Sequence, residues 1–168
     1  MYLRDQASIK DLKELMSHNL NAQIKHLQIV LDEIIELAKT LPNYDSIISI
    51  PGIGDNLAAR ILAEIGDISR FNNASQLVAY SGIDSQIYQS GQMSGLHLKI
   101  SKNGNKKLRC LLFLAVTCMI RTSREIVIVD FYKKKKADGL APKSALVASM
   151  NKLVRIIYSL CKNGCLFE

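Results

Sequence analysis

Ser90 is the residue of this 168-residue chain whose surroundings most clearly suggest covalent chemistry. It precedes Gly91 within residues 81–105, a stretch rich in Gly, Ser, Asn and Gln, and basic side chains follow at Lys99 and Lys102. A serine hydroxyl can attack a phosphodiester if its proton is removed and fixed cations meet the developing negative charge. Because Ser-Gly pairs are also common in ordinary turns, these residues alone leave a catalytic and a structural interpretation open.

A second candidate for phosphate binding lies in the sequence Ser49-Ile-Pro-Gly-Ile-Gly54, which we call the glycine turn. Gly52 and Gly54 permit a tight turn that presents backbone N–H groups at a helix N-terminus, where they can bind a phosphate without reading a base. Ile53, between the two glycines, would insert into the core. The pattern predicts a helix-hairpin-helix, and the alternative is a helical hairpin that binds nothing.

The start of a strongly apolar helix carries the third group of candidate residues. Asn105 precedes this helix, Lys106 and Arg109 lie near its first turn, and Lys102 comes just before it. Cations at a helix N-terminus oppose the helix dipole, so an anion bound at this end would be favoured by both the side chains and the dipole. The apolar residues from 110 to 120 predict that this helix is buried at the centre of the fold.

Basic side chains are concentrated at the end of the chain, although the net charge of the whole sequence is only +7. Residues 1–50 and 51–98 each carry a net charge of −2, whereas residues 99–168 carry +11. This asymmetry favours a polyanionic partner, nucleic acid before a membrane surface. Residues 133–136 are four consecutive lysines, and such a run is typical of a solvated, flexible segment.

The sequence contains no set of side chains with the spacing of a metal site, so no cofactor is expected in this chain. The three histidines are scattered, and the acidic residues near the glycine turn do not form a cluster for two metal ions. The four cysteines have apolar neighbours and no CxxC spacing, which favours buried, reduced thiols over a disulfide or a zinc site.

The apolar pattern predicts a mainly α-helical fold. Residues 1–42 form a long helical, coiled-coil-like arm, in which apolar residues from Leu12 to Ala38 recur in steps of three and four. This arm can pack on its own domain or on another chain. Residues 43–168 form one helical domain that contains the helix-hairpin-helix and the Gly/Ser-rich loop. No apolar run reaches the ~18 residues that span a bilayer, and the N-terminus lacks a signal peptide, so a cytoplasmic protein is expected.

Several ordered motifs together resemble the C-terminal transposase domain of the DEDD-type insertion-sequence transposases, which are related to the Piv DNA invertases. The motifs extend over residues 45–165 and include the glycine turn, Gln89-Ser90-Gly91 and Lys102-x-Gly104-Asn105-x-x-Leu108-Arg109. The resemblance implies a DNA transposase or site-specific recombinase in which Ser90 is the nucleophile for strand cleavage and transfer. It also implies DNA and a structured guide RNA as partners, and a homo-oligomer formed through the arm.

In that family a RuvC-like half binds the metal through four acidic residues, and this sequence contains no such half. The resemblance therefore implies that Mg²⁺ belongs to the RuvC-like half, and that this chain by itself binds nucleic acid without completing recombination. The predicted nucleic-acid contacts are Gly52, Ile53, Gly54, Lys99, Lys102, Asn105, Lys106 and Arg109. Two alternatives are a non-catalytic helix-hairpin-helix DNA-binding module of a repair or recombination protein and a helical oligomerisation domain.

Overall fold

The computed structural model describes residues 2–84, 100–122 and 126–168, with side chains from residue 8 onward. Most of these residues are helical, and no β-strand occurs within the described ranges, so the prediction of a mainly α-helical fold is confirmed. The chain divides into two units, residues 1–37 and residues 38–168. None of the helices in the described ranges is both long and apolar enough to cross a membrane.

A single helix makes up the first unit. Helix α1 (Tyr2–Lys39) is continuous over its whole length. It ends shortly before Pro42, because a proline disfavours the helical conformation of the residue that precedes it. Five of the apolar side chains spaced along α1 are more than half exposed, namely Leu12, Met16, Leu20, Ile24 and Leu27, whereas Ile34 is 44% exposed and Ala38 is buried.

The second unit contains six α-helices and a short 3₁₀ helix. They are α2 (Tyr44–Ile48), α3 (Asp55–Ile65), the 3₁₀ helix (Ile68–Arg70), α4 (Ala74–Ser81), α5 (Lys106–Arg121), α6 (Val127–Ala137) and α7 (Pro142–Asn163). Helix α7 contacts α2, α4, α5 and α6, while α3 packs between α2 and α5. The buried residues of α7 recur every three or four positions from Ala145 to Cys161 and form one face, as expected of an amphipathic helix at the centre of a bundle.

Helix α5 is buried on one side only. Leu108, Leu112 and Met119 are at most 1% exposed, whereas Phe113 and Leu114 are 51% and 46% exposed. The prediction that this helix is buried at the centre of the fold therefore holds for one face only. Helices α3, α4, α6 and α7 contact α5, and a second apolar face lies at the surface of the described structure.

The four cysteines are free, but they are not all buried. Cys161 on α7 is buried, and burial raises the pKa of its thiol to about 11, which keeps it protonated and unreactive. Cys110 and Cys165 are exposed. The prediction of buried thiols therefore holds for Cys161 and is wrong for these two residues.

Candidate nucleic-acid interface

The chain on either side of residues 85–99 is joined by backbone hydrogen bonds, in a region that we call the junction (residues 80–84 and 100–105). The N–H groups of Ser101, Lys102 and Asn105 donate to the carbonyl oxygens of Asp84, Gly82 and Tyr80 at 2.8, 3.1 and 2.7 Å, respectively. The Ser101 hydroxyl also donates to the carboxylate of Asp84. The segment that contains Ser90 therefore begins and ends at the same place, just before α5.

Two glycines allow the two sides of the junction to approach each other. A Cβ atom on Gly104 would overlap the carbonyl oxygen of Tyr80 and lie 2.7 Å from the backbone nitrogen of Gly82. Gly82 ends α4 with a φ of 66°, in the left-handed region that favours glycine. A Cβ atom there would lie 2.6 Å from Nη1 of Arg109. Close packing of backbone against backbone is the physical reason for Gly104, whereas the left-handed backbone and the approach of Arg109 favour glycine at position 82.

Three of the predicted cations lie together beside the junction. Arg109 Nη1 donates to the carbonyl oxygen of Ser81 at 3.0 Å, which fixes this guanidinium against the end of α4. Lys102 and Lys106 are exposed, and the first turn of α5 contains no acidic residue. Lys102 has a φ of 57°, which is uncommon for a residue with a side chain, and its N–H bond to Gly82 stabilises that conformation.

Asn105 makes its hydrogen bonds within the protein. Its Oδ1 accepts from the N–H of Leu108 at 3.0 Å and so caps the N-terminus of α5. Its Nδ2 donates to Glu64 Oε2 at 2.8 Å and to Tyr80 Oη at 3.2 Å. Because a side-chain amide has two N–H donors, both donors of Asn105 are engaged. The observed role of this residue is to fix the start of α5, and its contact with nucleic acid stays a prediction.

Sequence reasoning did not identify three side chains that complete this cluster: Glu64, Arg70 and Tyr80. The Tyr80 hydroxyl donates to the carbonyl oxygen of Glu64 at 3.2 Å. The hydrogen bond from Asn105, followed by that from Arg70, lowers the pKa of the Tyr80 phenol. The Arg70 guanidinium lies 4.5 Å from the centre of the Tyr80 ring, a cation–π contact. Glu64 and Tyr80 do occur in the motifs behind the family resemblance, but no spacing rule shows that Glu64 meets Asn105.

The glycine turn lies towards the opposite end of α5. A Cβ atom on Gly52, whose φ is 92°, would lie 2.7 Å from Cγ of the fully buried Met119. Met119 follows Asn105 by 14 residues, which is about 21 Å along a helix. Because Glu64 near the end of α3 reaches Asn105, α3 runs antiparallel to α5 between the two places. The predicted contacts therefore form two groups instead of one.

The two other residues of the glycine turn differ in what the fold requires of them. Ile53 is 5% exposed, in agreement with its predicted insertion into the core. Gly54 has an ordinary φ of −95°, and no atom lies within 4 Å of the position that a Cβ would take. The backbone of Gly54 could therefore be approached closely by a ligand, and the fold itself does not require a glycine there.

A carboxylate occupies the N-terminal turn of α3. The hydroxyl of Tyr44 donates to Asp55 Oδ1 at 2.6 Å. This hydrogen bond, followed by that from the backbone N–H of Asp55 and the charge of Lys39, lowers the pKa of Asp55, so the side chain is ionised at neutral pH. The negative charge is stabilised by the helix dipole, and it repels a phosphate that approaches the same end.

Two of the predicted site residues, Ser90 and Lys99, lie outside the described residues, and their roles stay predictions. Among the residues that are described, no three His, Cys, Asp or Glu side chains form a group that could hold a metal ion. The described side chains therefore offer no group of three such ligands for a Mg²⁺ ion.

Comparison with known families identifies the class of protein. The family model described as Transposase IS116/IS110/IS902 family matches residues 44–132, which is more than half of the chain. The chain therefore belongs to this transposase family. The matched region contains both the glycine turn and the junction, and it ends within α6.

Individual relatives agree with this assignment. The chain is 31% identical over 120 residues to the pilin gene-inverting protein of Moraxella bovis, a match that covers 71% of this chain and 37% of the relative. It is 32% identical over 130 residues to the transposase for insertion sequence element IS1111A of Coxiella burnetii, covering 77% and 35%. It is 28% identical over 153 residues to the uncharacterized protein of insertion element IS116 from Streptomyces clavuligerus, covering 90% and 37%. The chain spans little more than a third of the length of these relatives.

Proposed function

We propose that this chain is the DNA-binding, serine-bearing part of a DNA transposase or site-specific recombinase. The observation that carries the proposal is the junction, which brings both ends of the segment containing Ser90 to the N-terminus of α5. Lys102, Lys106 and Arg109 lie beside it, and fixed cations stabilise the charge that develops on a reacting phosphate. Relatives named as a transposase and as a gene-inverting protein support the same reaction class.

In the proposed step the hydroxyl oxygen of Ser90 attacks a phosphorus atom of the DNA backbone. A bond forms between the serine oxygen and phosphorus, and the bond from phosphorus to the 3′ oxygen breaks, which leaves a 5′-phosphoserine. The serine proton passes to a base, and the 3′ oxygen takes up a proton. The cations beside the junction would bind the phosphate oxygens. No step runs through a metal held by the described residues, and Mg²⁺ is assigned in this proposal to the RuvC-like half of the family.

The covalent step is tested with a polypeptide that joins this chain to the RuvC-like half. With a suicide DNA substrate we expect a protein–DNA adduct that resists denaturation, and we expect Ser90→Ala to abolish it. Ser94→Ala, in the same segment, is the matched control and should retain the adduct. Both variants should bind DNA as tightly as the parent. An adduct that persists in Ser90→Ala would show that another group is the nucleophile.

The second candidate function is a non-catalytic helix-hairpin-helix module that binds DNA in repair or recombination. The open space around Gly54 favours it, because a backbone that nothing covers is accessible to a phosphate. This function predicts that no adduct forms with any variant. It also predicts that Gly54→Val weakens DNA binding more than the removal of any cation at the junction.

We further propose that α1 forms a homo-oligomer by pairing with the same helix of a second copy. Its exposed apolar side chains recur in steps of three and four, the spacing of a coiled-coil seam, and burying them would be favourable. Leu20→Glu with Leu27→Glu should lower the oligomeric state in analytical ultracentrifugation. Ala22→Glu, which lies off the seam, should leave it unchanged. A monomeric parent chain would exclude this role for the helix.

A structured guide RNA is proposed as a further partner, on the family resemblance and on the positive charge of residues 99–168. The chain should then retain a defined RNA through purification at moderate salt, and sequencing of that RNA would identify it. Recovery of only random cellular RNA would count against a dedicated guide.

A further inference from the structure

Helices α6 and α7 carry a basic surface that neither the junction nor the glycine turn includes. Together these helices contain eight basic residues and a single acidic one, Asp130. The lysine run and the whole of α7 lie beyond the region matched by the transposase family model, which ends at residue 132. The function proposed above therefore leaves this surface without a role.

Three of the cations on these helices, Lys135, Lys136 and Lys152, lie against aromatic rings. Lys135 Nζ and Lys152 Nζ lie 5.6 and 4.7 Å from the centre of the Phe131 ring, so two helices bring positive charge to one ring. Lys136 Nζ lies 5.9 Å from the centre of the Tyr132 ring. Residues 133–136 lie within a helix, so the prediction of a flexible segment is wrong, whereas Lys133, Lys134 and Lys136 are exposed, as expected of a solvated run.

Most of this positive charge is not neutralised by carboxylates. Within the described ranges, Lys135 is the one cation of α6 and α7 that forms an ion pair, with Asp138 Oδ2 at 3.1 Å. The C-terminal end of a helix dipole stabilises the lysines in the last turn of α6, but it does not account for Lys152 in the middle of α7. Neighbouring cations on these helices repel one another, and a bound polyanion would offset that repulsion.

We propose that Lys133, Lys134, Lys136, Lys152 and Arg155, which we call the α6–α7 surface, bind the phosphate backbone of double-stranded DNA without reading its sequence. Ammonium groups are point charges, which suit phosphates better than the patterned edges of bases. The one guanidinium, that of Arg155, already donates through Nε to Asn151 Oδ1 at 2.9 Å. The choice of DNA rests on the function proposed above.

The aromatic rings favour a duplex over a single strand. Proteins that bind single strands stack bases on exposed aromatic rings. Phe131 and Tyr132 are only partly exposed, and lysine side chains cover them.

The polar groups near these cations favour a DNA duplex over an RNA duplex. A protein that prefers an RNA duplex contacts its 2′-hydroxyls, which both donate and accept. Two side-chain acceptors on these helices and the turn between them, Asp138 Oδ2 and Asn151 Oδ1, already accept from Lys135 and Arg155.

The test measures the affinity of the full chain for a DNA duplex of arbitrary sequence over a range of salt concentrations. The triple variant Lys133→Gln, Lys134→Gln, Lys136→Gln should weaken binding about tenfold or more at moderate salt. The slope of log K against log salt should fall by about 0.9 for each phosphate that the variant no longer neutralises. The matched control, Arg60→Gln with Arg121→Gln and Lys162→Gln, removes the same charge from other exposed positions and should change the affinity less than threefold.

Equal weakening by both triple variants would overturn the proposal, because net charge alone would then explain the binding. Tighter binding of an RNA duplex or of single-stranded DNA than of the DNA duplex would overturn it as well. Lys152→Gln offers an independent check, since it removes a cation from the other helix and should lower the slope by about 0.9. Circular dichroism should show unchanged helix content in each variant.

The proposed function and this inference can fail separately. Loss of the covalent adduct in Ser90→Ala, together with no effect of the lysine variants, would support the nucleophile and reject the surface. A parent chain that binds no duplex at all would reject DNA binding in both. Lysine variants that lose affinity while Ser90→Ala forms its adduct would support the surface and reject the nucleophile.

Discussion

The N-termini of α3 and α5 were both predicted to bind phosphate, and their first turns carry charges of opposite sign. At α3 the ionised carboxylate of Asp55 lies in the first turn, held by the hydroxyl of Tyr44. At α5 the first turn holds lysines and no acid, and the nearby carboxylate of Glu64 accepts from the capping Asn105 and lies 3.9 Å from Lys107 Nζ. Gly52, in the turn before α3, and Asn105, the cap of α5, lie about 21 Å apart along α5, so one phosphate cannot reach both.

This difference shows that a helix N-terminus is not an anion site by virtue of its dipole alone. The dipole contributes a partial positive charge at both ends, and a full negative charge in the first turn outweighs it. For a duplex with a rise of about 3.4 Å per base pair, the separation corresponds to roughly six base pairs. The junction end of α5 is therefore the stronger candidate for the reacting phosphate, and the glycine turn for a contact further along the backbone.

The largest effect on stability is expected from adding one methyl group at the junction. Gly104→Ala would place a Cβ against the carbonyl oxygen of Tyr80 and the nitrogen of Gly82. Neither atom can move without disturbing the backbone hydrogen bonds of the junction. We expect a loss of about 3 kcal/mol in the free energy of unfolding, measured by urea denaturation. Gly54→Ala, the same change at the glycine turn, enters open space and should cost less than about 1 kcal/mol, chiefly as a poorer N-cap. Equal losses of unfolding free energy in the two variants would show that the fold constrains Gly54 as tightly as Gly104.

A smaller loss of stability is expected from removing the side chain that joins α3 to α5. Asn105→Ala deletes the N-cap of α5 and the hydrogen bonds to Glu64 and Tyr80. It should destabilise the protein by about 1–2 kcal/mol in thermal or urea unfolding. Asn105→Ser restores a capping oxygen and should recover about half of that loss. If serine recovers nothing, the cap is not what stabilises this end of α5.

The contrast between the two helix N-termini predicts that the junction contributes more to DNA binding than the glycine turn. Lys102→Asn with Lys106→Gln removes two charges at the junction, and asparagine tolerates the left-handed backbone of residue 102. The slope of log K against log salt for a DNA duplex should fall by about 1.8 if both residues contact phosphates. Gly54→Ala should change this slope by less than half as much, because Asp55 opposes phosphate binding there. A larger effect of Gly54→Ala would make the glycine turn the main contact.

The smallest effect concerns Asp55, whose carboxylate gives the first turn of α3 a negative charge that the first turn of α5 lacks. Tyr44→Phe removes the hydrogen bond that chiefly lowers the pKa of Asp55, so this pKa should rise towards its ordinary value of 3.8 in an NMR titration. Because the native pKa is depressed, the stabilisation by the ionised carboxylate is present at neutral pH and is lost as the pH falls through the native pKa. The stability of Tyr44→Phe should therefore depend less on pH between 5 and 2.

Tyr158→Phe is the control for this titration. The hydroxyl of Tyr158 donates to the carbonyl oxygen of Phe71 at 3.2 Å and not to a carboxylate. This variant should leave the pKa of Asp55 where it is in the parent. An unchanged pKa in Tyr44→Phe as well would show that the backbone N–H and Lys39 suffice to hold it low.

Much of the fold could be predicted from the sequence because local rules govern it. Apolar spacing indicated α1, α3 and α7, and the observed bounds of α3 place Asp55 directly after the glycine turn. The exposed face of α5 at Phe113 and Leu114 could not be predicted, since composition shows that a helix is apolar but not which sides its neighbours cover. The lysine run was misjudged for the same reason, because Lys152 meets Phe131 only through the packing of α6 on α7.

The sequence by itself determined the helical class, the family, the uneven charge and the glycines, because propensity, periodicity and motif order are local properties of a chain. Tertiary structure alone decided that Glu64 meets Asn105, that Gly82 faces Gly104 and that Gly52 packs on Met119. These contacts join residues far apart in the chain, and loop closure and packing select them together. The same packing divided one predicted set of phosphate contacts into two groups at opposite ends of α5.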